Sequence, residues 1–346
     1  MSSFTLGLAI IGGLVLAALV AWQTWTSRRN TPRQPQPDAP ASAAGHPADP
    51  LAERSEPTFD TDTDPVPLPL PEKRPGLDAL IDIIAPIALE APASGEAALA
   101  AMPPTRRAGS KPFAVEGLSV ETGEWEQPHA GRRYSAFQAG VQMANRTGAL
   151  NEIEYSEFVM KAQAFADAVN GAPEFPEMLH EVARARELDQ FASDHDAQLG
   201  FTLRARNAAW SPGYVQQNAA RLGFVSGVIP GRMVLPAQVH GMPPVLGLSF
   251  DTQAAMAEDP ALSAIREVTL SLDVPQVDRS ERPFVRMRES AIALAASMDG
   301  LITDDNGQVI RPESLDGIGA DLEQLYDTLD GRDLSAGSAL ARRLFS

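Results

Sequence analysis

The feature that most constrains what this chain can fold into is an uncharged apolar run near its start. Residues 4–25, FTLGLAIIGGLVLAALVAWQTW, begin with Phe4, end with Trp25 and contain no charged side chain. At about 1.5 Å per residue, a helix of this length crosses a hydrocarbon core of about 30 Å. The sequence therefore predicts a single transmembrane anchor within residues 1–27. A cleaved signal peptide is the alternative, but such peptides usually have a basic start and an apolar core of about 7–15 residues.

The charges that flank this run predict its orientation. Arg28, Arg29 and Arg33 follow the run, whereas residues 1–3 carry no charged side chain. Positively charged flanks favour the cytoplasmic side of a membrane. We therefore expect a periplasmic N-terminus, with the remainder of the chain in the cytoplasm.

A proline-rich stretch separates the anchor from the remainder. Residues 28–76 have a proline every few positions and almost no large apolar side chain before Val66. Such a segment cannot bury a core, and its prolines favour extended polyproline II conformations. We expect a disordered linker. Its PVPLPLP sequence at residues 65–71 also fits a ligand for a proline-recognition domain, although a plain spacer is favoured.

Composition excludes several classes of function. The 346 residues carry a net charge of −17, which argues against a nucleic-acid-binding protein, because phosphate contacts need a basic surface. The sequence has no cysteine, so disulfide frameworks, thiolate nucleophiles and iron–sulfur clusters are excluded. After removal of anchor and linker, about 260 residues are left, which is enough for one large or two ordinary domains.

Residues 77–196 are predicted to form a first α+β unit. The expected strands are residues 77–89, 111–120 and 134–144, and residues 158–165 form either a strand or a short helix. Ser94 and Gly95 open a short helix, and Pro176 begins a clear helix whose apolar residues recur at helical spacing.

Residues 197–335 are predicted to form a second α+β unit, followed by a tail at 336–346 for which disorder is favoured over docking on the membrane or on the folded part of the chain. Strands are expected at 199–206, 245–250 and 268–275, and strict alternation in the first and last indicates one buried and one solvated face. Helices are expected at 215–224, 284–298 and 313–329, and a hairpin is expected to turn at Asn306 and Gly307.

The two halves repeat parts of each other. Residues 175–198 align with 284–308, and the strand, serine turn and helix at 80–102 match 199–222, at an offset of roughly 110–118 residues. A domain-sized offset predicts a duplicated unit whose first copy lacks its final helix. Coincidence between two amphipathic helices is the alternative.

The order of these segments resembles the ZipA family, bacterial membrane anchors for the tubulin-like division protein FtsZ. The specific sequences are TSRR after the anchor, GYVQQNAARLGFVSGVI at 213–229, VTLSLDVP at 268–275 and FVRMRESAIALAASMDGLITDDNGQVIRPESL at 284–315. Residues 197 to about 330 resemble the family's C-terminal domain in order and spacing. The resemblance implies a mostly antiparallel sheet with helices on one face, an inner-membrane location and a role in septum assembly. It also implies that the open sheet face binds the C-terminal tail peptide of FtsZ.

Transferring this groove strand by strand selects eight partner-binding residues. They are Thr202, Arg204, Ile229, Arg232, Leu248, Phe250, Thr269 and Ser271. The family presents large apolar residues at several of these positions, whereas Thr202, Thr269 and Ser271 are small and polar. Leu246, Leu248 and Phe250 equally fit a register in which they face the core. A scaffold for a different division or envelope partner is therefore the alternative function.

Signatures of catalysis are missing from the sequence. Its five histidines are not paired at metal-ligand spacing, and it has no Walker loop, no G-x-S-x-G elbow and no G-x-G-x-x-G. Asp194, His195 and Asp196 follow a predicted helix, where a polar turn is expected. Trp125, Trp210 and Phe191 are expected in the core. We expect a non-enzymatic protein without cofactor, metal, nucleic acid or small-molecule substrate.

Overall fold

The chain forms two compact units, each assembled from separate segments. The computed structural model describes residues 32–35, 76–257, 263–304 and 306–346. Of these, the first unit takes residues 76–199, Asp273–Phe284 and Glu313–Ser346, and the second takes residues 32–35, Gly200–Leu272 and Val285–Pro312. Both units combine helices with an antiparallel sheet, which confirms the predicted α+β class. The predicted boundaries at 196/197 and 335/336 divide the chain linearly, whereas these units interleave.

The described residues contain eight α-helices. They are α1 (Gly95–Ala101), α2 (Glu152–Ala168), α3 (Met178–His195), α4 (Pro212–Ala220), α5 (Thr252–Met256), α6 (Pro283–Met298), α7 (Pro312–Asp330) and α8 (Ala339–Leu344). None of these helices is both long and apolar enough to cross a membrane. The predicted anchor, Phe4 to Trp25, and nearly all of the predicted linker lie outside the described residues.

The first unit is built on a six-stranded sheet. Its strands are β1 (Asp82–Ser94), β2 (Arg107–Ala108), β3 (Lys111–Ser119), β4 (Trp125–Glu126), β5 (Arg133–Gln142) and β8 (Gly171–Pro173). The order is β2-β3-β5-β1-β8, with β4 beside β3, and a separate hairpin joins β6 (Ala144–Asn145) to β7 (Gly148–Ala149). Strand β1 starts five residues later than predicted, because residues 79–81 form a turn.

One face of this sheet carries an aromatic core. Phe113 on β3 and Phe137 on β5 meet Phe158 and Phe165 of α2, with ring centroids 6.1 and 5.1 Å apart. Such tilted and edge-on ring contacts stabilise a core beyond the area they bury. Helix α2 begins at a complete capping box, in which the Asn151 side chain accepts from backbone N–H groups. The segment 158–165 is therefore helical, which settles the alternative left open by the sequence.

The C-terminal residues are ordered, so the predicted disorder of 336–346 is wrong. Ser338 caps α8, and Leu344 and Phe345 are buried in the first unit. The Arg343 guanidinium donates to the Asp82 carboxylate of β1, and the Arg343 carbonyl accepts from Gln142 Nε2 at 2.8 Å. The ends of a chain are usually unstructured unless apolar side chains and charges hold them in place, as they do here.

The second unit has its own six-stranded sheet. The strands are β9 (Gln198–Ala205), β10 (Val225–Ser226), β11 (Arg232–Leu235), β12 (Leu246–Ser249), β13 (Glu267–Asp273) and β14 (Gly300–Thr303), in the order β10-β11-β12-β13-β9-β14. Its core joins the inward residues of the strands to α4 and α6, including Val215, Ala219, Met287, Leu294 and Met298. Trp210 is fully buried, and its indole N–H donates to the Met298 carbonyl at 2.7 Å.

The two sheets share an order of strands, but the predicted alignment of the halves is wrong by one helix. In each unit one helix directly precedes an edge strand along the chain. This helix is α2 before β8 in the first unit and α6 before β14 in the second. Both helices end at a left-handed residue followed by glycine, Asn170 (φ 54°) before Gly171 and Asp299 (φ 56°) before Gly300. The sequence comparison paired α3 with α6 instead, because helical periodicity alone does not identify a helix. After β8 the first copy continues into α3, so it does not lack a final helix.

Candidate partner-binding face

One face of the second unit's sheet carries small and polar side chains instead of a core. Along β9 and β13, the residues Phe201, Leu203, Val268, Leu270 and Leu272 are buried, and the residues between them are not. Because successive side chains of a strand point to opposite faces, the alternating residues share one outward surface. We call this surface the open face. Its members are Thr202, Arg204, Arg232, Val234, Gly247, Ser249, Thr269, Ser271 and Leu301.

Strand register brings these residues into two rows. Ser249 lies between Arg232 and Thr269, and Gly247 lies between Val234 and Ser271. No side chain projects from the centre of the face, because residue 247 is glycine. A Cβ atom at Gly247 would meet only the Ser271 hydroxyl, at 2.7 Å. The same hydroxyl donates to the Gly247 carbonyl at 3.4 Å. A peptide backbone could therefore approach the sheet closely at this point.

Two arginines of the open face differ in whether an acidic side chain already pairs with them. Arg204 Nε lies 2.9 Å from Glu267 Oε1, so its charge is already matched within the sheet. Arg232 has no ion pair with any residue that the structure describes, and its side chain is exposed. Arg232 is therefore the available cation for an acidic group on a partner.

An apolar turn lies at the edge of the same sheet. Val225, Val228 and Ile229 are at least half exposed, and Val228 is entirely so. The turn joins β10 to β11, and Gly227 N–H donates to the Arg232 carbonyl at 2.8 Å. Gly231 has φ 78°, and a Cβ atom there would approach the Phe250 carbonyl to 2.7 Å, which explains the glycine. Exposed apolar side chains grouped in this way mark surfaces that bind other molecules.

Six of the eight predicted residues are exposed or partly exposed, as the predicted face requires. Thr202, Arg204, Arg232, Thr269 and Ser271 lie on the open face, and Ile229 lies in the apolar turn. Whether they bind a partner stays a prediction.

The predicted positions of Leu248 and Phe250 are wrong. Leu248 is 1% exposed and Phe250 is 7% exposed, and both face the core. In the segment VLGLSF the bulky residues take the core side, so Gly247 and Ser249 face outward. This outcome matches the alternative register that the sequence left open.

The residues transferred from the family's groove omit four positions that face outward in the structure. Val234, Gly247 and Ser249 lie on β11 and β12, and Leu301 lies opposite Arg204 on β14. The alternation of Leu246, Gly247, Leu248 and Ser249 was the available signal for β12. Strand β14 has a mixed burial pattern and offered no such signal.

The buried Lys111 of the first unit has a structural explanation. Its ammonium donates to Asn145 Oδ1 at 2.7 Å, to Thr147 Oγ1 at 3.2 Å and to the Gly148 carbonyl. Burial lowers the pKa of Lys111, while Glu154 and Asp189 act in the opposite direction. Three acceptors use the three ammonium donors, so Lys111 fastens the β6–β7 hairpin and has no donor left for a substrate.

The first unit also contains a cavity of about 430 Å³, and the arginine that lines it is held in ion pairs. Arg146 lines it together with Asp189 and Asp196. Arg146 Nη2 lies 2.6 Å from Asp196 and 2.7 Å from Asp273. Asp196, directly after α3, therefore holds Arg146, whereas Asp194 and His195 lie in the last turn of α3 and not in the turn predicted there.

Aromatic residues outside the open face divide between core and surface. Phe191 stacks on His195 at 4.3 Å, and Arg332 lies 4.6 Å above the Phe191 ring. Trp125 is exposed, so its predicted place in the core is wrong. Among the described residues, no group of three or more histidine, aspartate and glutamate side chains is arranged to hold a metal ion.

No protein-family model matches the chain, and no curated protein matches it.

Proposed function

We propose that this chain is a non-enzymatic adaptor of the bacterial division apparatus that tethers FtsZ filaments to the cytoplasmic face of the inner membrane. The open face of the second unit would receive the C-terminal tail peptide of FtsZ. The proposal rests on the predicted anchor and on the resemblance of residues 197 to about 330 to the ZipA family. The observation that carries it is the open face itself, a partly exposed sheet surface beside an apolar turn and beside Arg232, which forms no ion pair within the described part of the chain.

Each part of this surface suits one property of an amphipathic acidic peptide. Val228 and Ile229 offer apolar contact area, Arg232 offers a charge for a carboxylate, and the row through Gly247 lets the peptide backbone lie close to the sheet. Such recognition needs contact and charge complementarity but no chemical step.

The small side chains of the open face imply a weak individual contact. A fully buried large apolar side chain contributes about 1.5–3 kcal/mol, and Thr202, Thr269 and Ser271 offer much less apolar area than the large residues the family presents. A filament displays many tails, and a membrane displays many anchors. Multivalency can therefore hold the filament even though one tail dissociates readily.

The direct test is a titration of the full chain, reconstituted in lipid nanodiscs, with a labelled FtsZ C-terminal peptide. We expect saturable binding that weakens with added salt. Arg232→Glu should weaken it about 5- to 10-fold, which corresponds to about 1–1.4 kcal/mol. Arg186→Glu is the matched control, because Arg186 is an exposed arginine of α3 in the first unit. An absence of binding at millimolar peptide, or equal effects of the two variants, would exclude the open face as the FtsZ site.

A scaffold for another division or envelope partner is the second candidate. The polar character of Thr202, Thr269 and Ser271 favours it, because such a surface suits a more polar partner than the family's groove does. A photo-crosslinking amino acid at Ser271 in cells distinguishes the two. Recovery of FtsZ supports the first function, and reproducible recovery of a different single protein supports the second.

A further inference from the structure

A short proline-containing segment from near the N-terminus is bound on the second unit. Arg33 N–H donates to the Ala209 carbonyl at 2.7 Å, and Ser211 N–H donates to the Arg33 carbonyl at 2.9 Å. These two bonds make a parallel bridge between Arg33 and Trp210, whose backbone also pairs with Ile265. Arg33 thus extends an existing backbone ladder by one strand, which is a common mode of peptide recognition.

The side chains around this bridge recognise more than the backbone. Arg33 Nη2 lies 2.9 Å from Asp299 Oδ2, and the same oxygen accepts from Asn207 Nδ2 at 3.1 Å. Asp299 is held in a left-handed conformation at the end of α6, and its carbonyl accepts from Arg206 N–H at 3.1 Å. The carboxylate that meets Arg33 is therefore positioned by its own backbone and by a neighbour.

Two prolines complete the fit. Pro32 is buried, and Pro35 lies against Gly213, where a Cβ atom would come within 3.1 Å of the proline ring. Gly213 therefore leaves space for the ring, and neither proline has to donate a backbone hydrogen bond. The chain contains a single Pro-Arg pair, at residues 32–33, so no other segment of it offers this combination.

We propose that Ala209–Gly213 together with Asp299 is a recognition site for an extended Pro-Arg-x-Pro segment, occupied here by residues 32–35. The site is a second binding function of this unit, distinct from the open face. The ion pair is more than a third exposed on both partners, so the contact is sensitive to salt and reversible.

Together with the proposed anchor, on which this step rests, the contact of residues 32–35 sets how far the second unit lies from the membrane. Residues 26–31 separate the predicted membrane span from the bound segment, and they reach at most about 20 Å when extended. With the segment bound, the second unit stays near the membrane. With the segment released, the reach of the protein is set by the whole stretch up to residue 76, so the site controls the length of the tether.

Hydrogen exchange of the full chain in nanodiscs tests the proposal without FtsZ. With fragmentation that resolves single amides, we expect Arg33 and Ser211 to exchange at least tenfold more slowly than an unprotected amide. Asp299→Asn and Arg33→Gln should each lower that protection about two- to fivefold, and so should high salt, because the exposed ion pair is worth less than about 1 kcal/mol. Asparagine tolerates the left-handed conformation, so Asp299→Asn removes the charge without disturbing the turn. Arg206→Gln is the matched control, because Arg206 is a neighbouring exposed arginine.

A competition experiment separates recognition from simple proximity. A peptide with the sequence of residues 31–36, TPRQPQ, should release the Arg33 amide at millimolar concentration, and the same peptide with glutamine in place of arginine should not. Exchange of the wild-type Arg33 amide at the unprotected rate would overturn the proposal, as would equal effects of the two peptides. Since neither readout involves FtsZ, these outcomes are independent of whether the open face binds its tail.

Discussion

The outward sheet faces of the two units differ although their strand orders agree. In the first unit Leu77 lies over the central strand, where its Cδ2 would be 2.4 Å from a Cβ atom at Gly140. Leu77 N–H donates to Glu116 Oε1 at 3.0 Å, and Gln138 donates to the other Glu116 oxygen at 2.8 Å. In the second unit the equivalent surface carries Gly247 and Ser271, and no residue that the structure describes covers Gly247 in this way. A shared topology therefore does not give both sheets the same capacity to bind a partner.

Each unit also holds a distant chain segment by an ion pair, and the two ion pairs differ in how deeply they are buried. In the first unit Arg343 near the C-terminus meets Asp82, whose side chain is fully buried. In the second unit Arg33 meets Asp299, and both side chains are more than a third exposed. A buried charge is costly to leave unpaired, whereas an exposed pair is screened by water and salt. We therefore expect the C-terminal segment to be held more strongly by its unit than residues 32–35 are held by theirs.

The largest expected effect is the loss of the Arg343 pair. Arg343→Met should destabilise the first unit by about 3 kcal/mol, because Asp82 is left buried without its partner. Urea unfolding followed by circular dichroism measures the difference. Arg342→Met is the control, and Arg33→Met should cost less than about 1 kcal/mol. Equal losses for Arg343→Met and Arg33→Met would remove the contrast between the two ion pairs.

Protonation of Asp82 gives this prediction a pH dependence. Burial raises the pKa of Asp82, and Arg343 opposes that rise. Without Arg343 the pKa of Asp82 rises further. Above that folded-state pKa the Asp82 carboxylate is charged, and its burial destabilises the protein fully. Below it the carboxyl group is protonated, and the destabilisation fades. The deficit of Arg343→Met should therefore shrink in acid. A deficit that is constant between neutral and acidic pH would show that the charge of Asp82 is not its cause.

The same glycine substitution on both sheets tests the difference between their outward faces. Gly140→Val places new atoms against Leu77, at 2.4 Å from Cδ2 and 3.1 Å from Cγ, and should cost about 1–3 kcal/mol. Gly247→Val meets only the Ser271 hydroxyl and should cost less than about 1 kcal/mol. Unfolding curves give both values, and hydrogen exchange of residues 76–80 should accelerate in Gly140→Val alone. Equal costs would mean that the first face is no more covered than the second.

A smaller effect concerns the start of α2. Burial favours a raised pKa for Glu154, but hydrogen bonds from Ser110 and Asn151, with the charge of Lys111, hold its pKa below the usual 4.5. A lowered folded-state pKa stabilises the protein above the unfolded value, and this stabilisation disappears as the pH falls through the folded value. Glu154→Gln should cost about 1 kcal/mol at pH 7 and progressively less below pH 4.5. An equal loss at neutral and acidic pH would show that the charge of Glu154 is not the cause.

Local patterns predicted most of this fold. The alternation at 199–206 and 268–275 gave the faces of β9 and β13 correctly, and the serine before Gly95 marked the start of α1. These features depend on neighbouring residues, which the sequence displays directly. The side of Leu248 and Phe250 was ambiguous, because alternation identifies the two faces of a strand without saying which one is covered.

Contacts between distant residues could not be predicted in this way. Arg33 and Asp299 are 266 positions apart, and Asp82 and Arg343 are 261 positions apart. The proline-rich character of residues 28–76 indicates no binding surface elsewhere in the chain. For residues 336–346, docking on the folded part of the chain was the alternative, but the sequence named no partner residue for it. Residues 32–35 and 336–346 each make ordered contacts with a folded unit, which local composition does not display.

The smallest expected effect concerns the chemistry of the open face. Thr269→Val replaces a partly exposed hydroxyl by a methyl group of similar size, so folding stability should change by less than about 0.5 kcal/mol. If the FtsZ tail covers this residue, the added apolar surface should strengthen binding by about 0.5–0.8 kcal/mol, or roughly two- to fourfold. Ala136→Val adds apolar surface at an outward position of β5 in the first unit and should leave the affinity unchanged. Tighter binding by both variants would indicate nonspecific apolar adhesion, and tighter binding by Ala136→Val alone would place the partner on the first unit.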